Sequence, residues 1–104
     1  MNSFKSYYAV IFSSYLSNDT EGYAAMSEQM VALVQKQEGY LGHESARDGI
    51  GITVSYWESL DSIKKWKQNE AHLLAQSEGR NRWYQSYRLR ICKVEREYGM
   101  EREV

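Results

Sequence analysis

The order in which strand and helix patterns follow one another constrains the fold of this chain more than any other feature. Residues from Tyr7 to Tyr15 are aromatic, branched or small, which is typical of a first strand. Two further strand patterns, Tyr40–Arg47 and Ile52–Trp57, flank Asp48-Gly49-Ile50-Gly51. That turn sequence predicts a hairpin, because glycine adopts the positive φ that a tight turn requires.

Two segments carry apolar side chains at the three- and four-residue spacing of an amphipathic helix. The first helix is predicted to begin with Asn18 as N-cap and Glu21 three residues later, and to end at Gly39. Ser59 is the predicted N-cap of the second helix, and a shift in pattern at Asn69 predicts a break within it. The apolar face of the first helix comprises Tyr23, Met26, Met30, Leu33 and Val34.

A last strand over Tyr84–Tyr98 completes the order strand, helix, strand, strand, helix, strand. This order predicts an α+β fold of the ferredoxin-like type, a four-stranded antiparallel sheet with both helices on one face. The other face would stay open, and nine tyrosines favour covering it with a second copy of the chain. We therefore expect a homodimer whose 104-residue subunit, residues 1–104, is a single domain.

Composition and charge argue against several classes of function. A net charge of −1 argues against nucleic acid as partner. The single cysteine, Cys92, fits a reducing compartment, and no signal peptide or membrane span is recognisable, so a cytoplasmic protein without a membrane partner is expected. Two distant histidines without Cys-Cys or His-Glu spacing predict no bound metal, and the absence of a glycine-rich phosphate loop predicts no nucleotide cofactor.

A reactive pocket, if the chain has one, is expected near the stretch from Tyr56 to Gln76. Trp66 offers a flat ring on which an aromatic substrate can stack, although packing between helix and sheet explains it equally well. His72 is the candidate base, because imidazole accepts protons near neutral pH, and a partly exposed histidine without a role is the alternative. On an unbroken helix, the directions of Trp66 and His72 would differ by about 240° around the helix axis. The two side chains would therefore converge only if the helix breaks near Asn69.

Two phrases of the sequence resemble the antibiotic biosynthesis monooxygenase family. They are Glu38-Gly39-Tyr40-Leu41-Gly42 and Trp57-Glu58-Ser59-Leu60-Asp61-Ser62, the second followed by Trp66. The resemblance extends from Tyr7 to Tyr98 and implies a dimeric α+β barrel with a pocket between sheet and helices. Characterised members oxidise electron-rich phenolic or anthrone-like substrates with O₂ and without flavin, haem or metal, whereas many members have no known reaction.

Site roles follow from this resemblance. A small aromatic substrate would stack on Trp66 and lose a proton to His72, at a place where a family oxygenase has a tyrosine. Tyr56 would hydrogen-bond the substrate oxygen. Ser62 stands where one family enzyme has an asparagine, and its hydroxyl would hydrogen-bond a developing enolate.

Two further residues complete the expected site. Met30 is expected to line the pocket. His43 lies between Leu41 and Ser45 in the second strand and is expected to face the open side of the sheet, hence the pocket or the dimer seam. A structural histidine with satisfied hydrogen bonds is the alternative for His43.

A related branch of the family binds and degrades haem. Its axial histidine lies ten residues after the tryptophan, a position that Gln76 occupies in this chain. The asparagine expected in the first strand is also missing, since Val10, Ile11 and Phe12 occupy that region. Both departures count against haem degradation. A cofactor-independent monooxygenase and a non-catalytic small-molecule-binding or stress-response protein of the same fold remain open.

Overall fold

The computed structural model describes residues 4–77 and 80–103, with the side chains of all of these except residues 72–77, 80 and 81. The strands pair in the order β2-β3-β1-β4, and every neighbouring pair is antiparallel. Helices α1 and α2 contribute side chains to the same face of the sheet. The ferredoxin-like α+β fold is therefore confirmed. The elements are β1 (Tyr7–Leu16), α1 (Tyr23–Val34), β2 (Tyr40–Asp48), β3 (Ile50–Trp57), α2 (Leu60–Ser77), α3 (Arg80–Trp83) and β4 (Tyr84–Val94).

The predicted hairpin is present and tighter than expected. Asp48 pairs with Ile50 across Gly49, which takes a φ of 78°. Both strands therefore extend further into the turn than the sequence pattern predicts. Glycine allows this because it has no Cβ to clash with the backbone at positive φ.

The start of α1 differs from the prediction. Its N-cap is Gly22, without a side-chain cap, so the capping box assigned to Asn18 and Glu21 is wrong. Instead, the Ser17 hydroxyl accepts a hydrogen bond from the Asp19 amide at 3.1 Å. These short polar side chains bond the local backbone and form a turn, which delays the helix.

The N-terminus of α2 is as predicted, but its course is not. The Ser59 hydroxyl accepts the amide N–H of Ser62 at 3.1 Å, which confirms the N-cap. The helix then runs unbroken to Ser77, so the break expected near Asn69 is wrong. Asn69 donates to the Gln37 side chain at 3.0 Å, which ties this polar turn of the helix to the loop after α1. Glycine is unfavourable within a helix, so the sequence also predicts that Gly79 ends this helical segment, but Gly79 lies outside the described residues.

Tryptophans of β3 and α2 form the centre of the core. Trp57 is fully buried, and its ring stacks on Trp66 with centroids 6.3 Å apart. Ile63 is 2% exposed beside them, whereas Leu60 is 54% exposed, so the buried stripe of α2 starts one turn later than expected. Val34 completes the contact from α1. The structural role of Trp57 follows directly from this packing.

A β-bulge in β2 changes which residues face the helices. Tyr40 pairs with Trp57 and Gly42 with Tyr56, which leaves Leu41 as an extra residue. An extra residue shifts the alternation of side chains along a strand. Tyr40 and His43 therefore face the same side, although they are three residues apart.

A second β-bulge occurs in β4. Leu16 pairs with Tyr84 and Tyr15 with Ser86, so Gln85 is the extra residue. Tyr84 and Tyr87 consequently both face the helices. Each bulge thus places one tyrosine ring on the helix-covered face, whereas a regular strand would place that ring on the open face.

The face of the sheet away from the helices carries apolar and tyrosine side chains. Ile52 is 41% exposed and Tyr15 is 48% exposed. The Tyr56 hydroxyl donates to Glu44 at 2.7 Å, and this hydrogen bond raises the pKa of Tyr56. None of the described helices is long and apolar enough to cross a membrane.

Candidate functional site

A cavity of about 340 Å³ lies between the sheet and helices α1 and α2. This volume falls at the small end of the range of about 300 to 1,000 Å³ that is typical of small-molecule sites. All four strands and all three helices contribute to its wall. Its lining includes Val10, Phe12, Ser14, Tyr23, Met26, Met30, Val34, Tyr40, His43, Arg47, Ser55, Trp66, Lys67, Glu70, Trp83, Tyr84, Tyr87 and Leu89.

One end of the cavity holds a tyrosine–histidine pair. The hydroxyl of Tyr40 is hydrogen-bonded to Nδ1 of His43, and either group can donate, depending on the imidazole tautomer. Burial raises the pKa of Tyr40, so its phenol stays protonated at neutral pH. His43 lies on the helix-covered side of the sheet, so the expectation that it faces the open side is wrong. The bulge at Leu41 accounts for its contact with Tyr40.

Aromatic rings form the wall next to this pair. Tyr40 packs edge-on against Trp57 with ring centroids 5.5 Å apart, and Trp57 stacks in turn on Trp66. Trp66 is 7% exposed and also lines the cavity. Trp66 therefore packs between helix and sheet and also reaches the cavity, whereas its role as a stacking surface for a substrate stays a prediction.

The other end of the cavity holds an arginine. The Arg47 guanidinium donates to the Ser14 hydroxyl at 2.7 Å and to the Ser14 carbonyl oxygen at 3.1 Å. Ser14 is only 2% exposed. Gly51 makes room for this arrangement, because a Cβ on residue 51 would overlap the guanidinium. Among the described residues, no carboxylate lies within ion-pair distance of Arg47.

A cluster of phenolic rings lies next to Arg47. Tyr84 packs edge-on against Phe12 and Tyr23, with centroids 5.5 Å and 6.0 Å away. Burial, followed by interaction with Tyr23 and with the charge of Glu70, raises the pKa of Tyr84 far above its usual value, while Arg47 opposes the shift. Tyr84 is therefore a neutral hydrogen-bonding group at physiological pH.

The structure brings together three of the six predicted site residues. Met30, His43 and Trp66 all line the cavity. Tyr56 does not, because it follows the cavity residue Ser55 in β3 and so points to the opposite face of the sheet.

Ser62 also lies apart from the cavity lining. It sits in the first turn of α2, where its hydroxyl is hydrogen-bonded to that of Ser59 at 2.9 Å. Ser62 also lies so close to Gly39 that a Cβ there would overlap it. Its contacts are those of a helix cap packed on the start of β2.

His72 belongs to the unbroken part of α2, and its side chain lies outside the described residues. The helix break on which its convergence with Trp66 depended is not present. Its role as the base stays a prediction.

Tyr40, Arg47 and Tyr84 are cavity residues that the sequence reasoning did not select. Arg47 could have been found, because it lies four residues after His43 on one regular strand and so shares its face. Tyr40 and Tyr84 were missed because a bulge reverses the side that each residue would take in a regular strand. The bulge in β2 does have a local signal, since Gly42, beside Leu41, takes a φ of 139° and a glycine within a strand pattern indicates a bulge. No such glycine lies beside the extra residue Gln85 in β4.

The His, Cys, Asp and Glu side chains lie scattered over the described part of the chain. Within it, no three His, Cys, Asp or Glu side chains approach one another closely enough to hold an ion.

Comparison with known proteins places the chain in a family. It is 50% identical over 93 residues to the uncharacterised protein YqjZ of Bacillus subtilis, covering 88% of this chain and 82% of that protein. Its fold matches a mutant of SnoaB, a cofactor-independent oxygenase from Streptomyces nogalater, with a TM-score of 0.71 at 8% identity, covering 90% and 97% of the two chains.

A second solved structure with this fold carries a bound tetrapyrrole. It is a mutant of MhuD with two manganese protoporphyrin IX molecules per active site, matched with a TM-score of 0.66 at 16% identity and covering 89% and 99% of the two chains. The family model for antibiotic biosynthesis monooxygenases matches residues 7–78. The chain therefore belongs to the antibiotic biosynthesis monooxygenase family.

Proposed function

We propose that the chain is a cofactor-independent monooxygenase that oxidises a small, electron-rich aromatic molecule with O₂. The observation that carries this proposal is the cavity of about 340 Å³ in which the Trp66 wall and the imidazole of His43 occur together. Membership of the family supports it, as does the shared fold with a cofactor-independent oxygenase.

His43 is the proposed base, in place of His72. With Nδ1–H donating to the Tyr40 oxygen, Nε2 is left with a lone pair that can accept a proton from the substrate. Tyr40 then fixes the ring orientation and stabilises the imidazolium that forms. It stays protonated because burial raises its pKa, so no phenolate competes for the substrate proton.

Proton removal prepares the substrate for O₂. The carbanion of an anthrone-like substrate passes one electron to O₂, and the two radicals combine into a peroxide. Loss of water from the peroxide leaves one oxygen atom in the product as a carbonyl and releases the other as water. Exclusion of water from the cavity by the bound substrate favours the electron transfer, because little solvent then has to reorganise around the reacting charges.

Trp66 and Met30 have binding roles in this proposal. The indole gives a flat surface on which an aromatic substrate stacks, and the flexible thioether adapts to its edge. Both residues line the cavity. The proposal also places a second copy of the chain on the open face of the sheet, where Ile52 and Tyr15 are exposed.

The test is oxygen uptake by the purified protein with a panel of anthrones and hydroquinones. We expect His43→Ala to lower the rate by about 10² to 10⁴, the usual contribution of general base catalysis. His72→Ala and Tyr56→Phe are matched controls that should leave the rate little changed. Circular dichroism would establish that each variant is folded.

Other outcomes assign the cavity differently. Loss of uptake in His72→Ala with a normal rate in His43→Ala would return the base to His72. No uptake with any member of the panel, together with a ligand carried through purification, would identify a binding protein. A shift of the Soret band on adding haem would instead favour haem handling.

A further inference from the structure

We infer that Arg47 is an anion anchor and that the natural ligand of the cavity is an aromatic acid. Its ring would occupy the space beside Trp66, and its carboxylate, or another group of equal charge, would bind the guanidinium of Arg47. For the aromatic part of the ligand this inference rests on the proposed function. The acidic part is argued from Arg47 and its surroundings alone.

Arg47 is held in place but not neutralised. Two of its nitrogens donate to the hydroxyl and the carbonyl oxygen of the buried Ser14, at 2.7 Å and 3.1 Å, and one of the two also donates to the Gly49 carbonyl oxygen at 3.5 Å. A guanidinium has five N–H groups, so donors remain for a ligand. Within the part of the chain that the structure describes, no carboxylate forms an ion pair with Arg47. A fixed planar fork of this kind suits a carboxylate, which it can bind through two parallel hydrogen bonds.

The remaining charges of the cavity wall cancel. Lys67 pairs with Glu70 at 2.6 Å, and their side chains are 34% and 27% exposed. The positive charge of Arg47 is therefore left without a counter-charge from these neighbours. An anionic ligand would supply one, whereas a neutral phenol would not.

The position of Arg47 also defines the shape of the ligand. His43 and Arg47 lie four residues apart on β2, which corresponds to about 13 Å of strand. The cavity contacts both of them. A ligand that reaches both residues carries its acidic group at the end opposite to the position that loses a proton.

Binding of three naphthalene probes, measured by calorimetry, tests this inference without requiring turnover. The probes are 6-hydroxy-2-naphthoate, with its two groups at opposite ends, 3-hydroxy-2-naphthoate, with adjacent groups, and 2-naphthol, which has no carboxylate. We expect the first to bind at least about tenfold more tightly than each of the other two, since it alone can place a carboxylate at Arg47 while its hydroxyl reaches His43.

Variants of Arg47 assign this difference to one side chain. Arg47→Gln should remove the advantage of 6-hydroxy-2-naphthoate and leave 2-naphthol binding unchanged, which also shows that the cavity is intact. Arg47→Lys should retain part of the advantage, because it keeps the charge but loses the fork.

Gly51→Ala tests the same anchor without changing Arg47. The added Cβ would overlap the flexible end of the Arg47 side chain and displace it, so we expect the same selective loss as in Arg47→Gln. Gly99→Ala is the matched control, because a Cβ on Gly99 meets no atom within 4 Å.

Equal weakening of all three probes in Arg47→Gln would overturn the inference and leave Arg47 with a packing role. Equal affinity of the two naphthoates for the native protein would also overturn it, since the anchor would not lie opposite the reacting end. Arg47-dependent binding without oxygen uptake would refute the proposed oxygenase alone. Oxygen uptake with binding that is independent of Arg47 would refute the anchor alone.

Discussion

The two faces of the sheet are built from alternating residues of the same strands, yet their surroundings differ sharply. On the helix-covered face, Trp57 is fully buried and Trp66 is 7% exposed. On the open face, Ile52 and Tyr15 are 41% and 48% exposed. The difference arises because both main helices lie on one face, so the side chains of Ile52 and Tyr15 on the other face pack against neither helix.

The covered face is itself divided between a core and a cavity. Ile63 and Trp57 pack closely where the first half of α2 crosses the sheet. Between α1 and the strands, the contact opens into the space that joins the Tyr40–His43 pair to Arg47. One face of the sheet thus carries both the buried core and the candidate site.

The largest expected effect concerns the core. Trp57→Ala should lower the free energy of unfolding by about 3 to 5 kcal/mol, because it leaves a cavity under α2. Tyr15→Ala, on the open face, should cost only about 1 kcal/mol. Urea denaturation at several protein concentrations would measure both and separate any contribution from self-association. Similar costs for the two variants would contradict the contrast between the faces.

The second effect concerns self-association through the open face. Ile52→Glu should weaken the proposed dimer at least about tenfold, since it places a charge in an apolar contact. Leu60→Glu is the matched control, because Leu60 is 54% exposed on the outer side of α2. Sedimentation equilibrium would give both association constants. A dimer that Leu60→Glu disrupts and Ile52→Glu leaves intact would place the contact on the helices instead.

The smallest effect concerns the alkaline stability of the covered face. The pKa of Tyr84 is raised above its usual value of 10.0 by burial, so its contribution to stability is complete below pH 10.0 and is lost as the pH rises further. In Tyr84→Phe this pH-dependent loss of stability is absent. We expect the loss in the native protein to be less than about 1 kcal/mol of unfolding free energy per pH unit, because Tyr84 is only partly shielded from solvent.

The measurement for Tyr84 is a pair of stability curves for the native protein and Tyr84→Phe. The variant should be slightly less stable at pH 7, because it lacks the hydrogen bond to Tyr23, and the two curves should converge above pH 10.0. Curves that stay parallel at alkaline pH would show that Tyr84 is ionised in the folded protein as readily as in the unfolded chain.

Strand and helix periodicity was sufficient to predict the fold, because its strongest signals are local. The hairpin at Gly49 and the N-cap at Ser59 each depend on a few adjacent residues, and both are present. The helix break near Asn69 was predicted on equally local grounds and is wrong. There, the polar side chains of α2 find partners, Lys67 with Glu70 and Asn69 with Gln37, so the helix continues.

The candidate site was less predictable than the fold. Trp66 and Met30 were selected correctly as cavity-lining residues because they follow the apolar spacing of their helices. The side of the sheet on which His43 lies was predicted wrongly, and Tyr40 was not selected. Their contact depends on the bulge at Leu41. The neighbouring Gly42 is a sequence signal for a bulge, but it does not by itself fix which residue is the extra one.

The sequence by itself determined the order of the four strands and the two main helices, the apolar face of α1 and the family of the chain. Each of these is set by residue type and spacing along the chain, which act over a few residues at a time. Only the tertiary structure decided that Tyr40, His43 and Arg47 share one cavity and that Tyr56 faces away from it. The reason is that the register between strands selects the face of every side chain, and one extra residue in a strand reverses that selection.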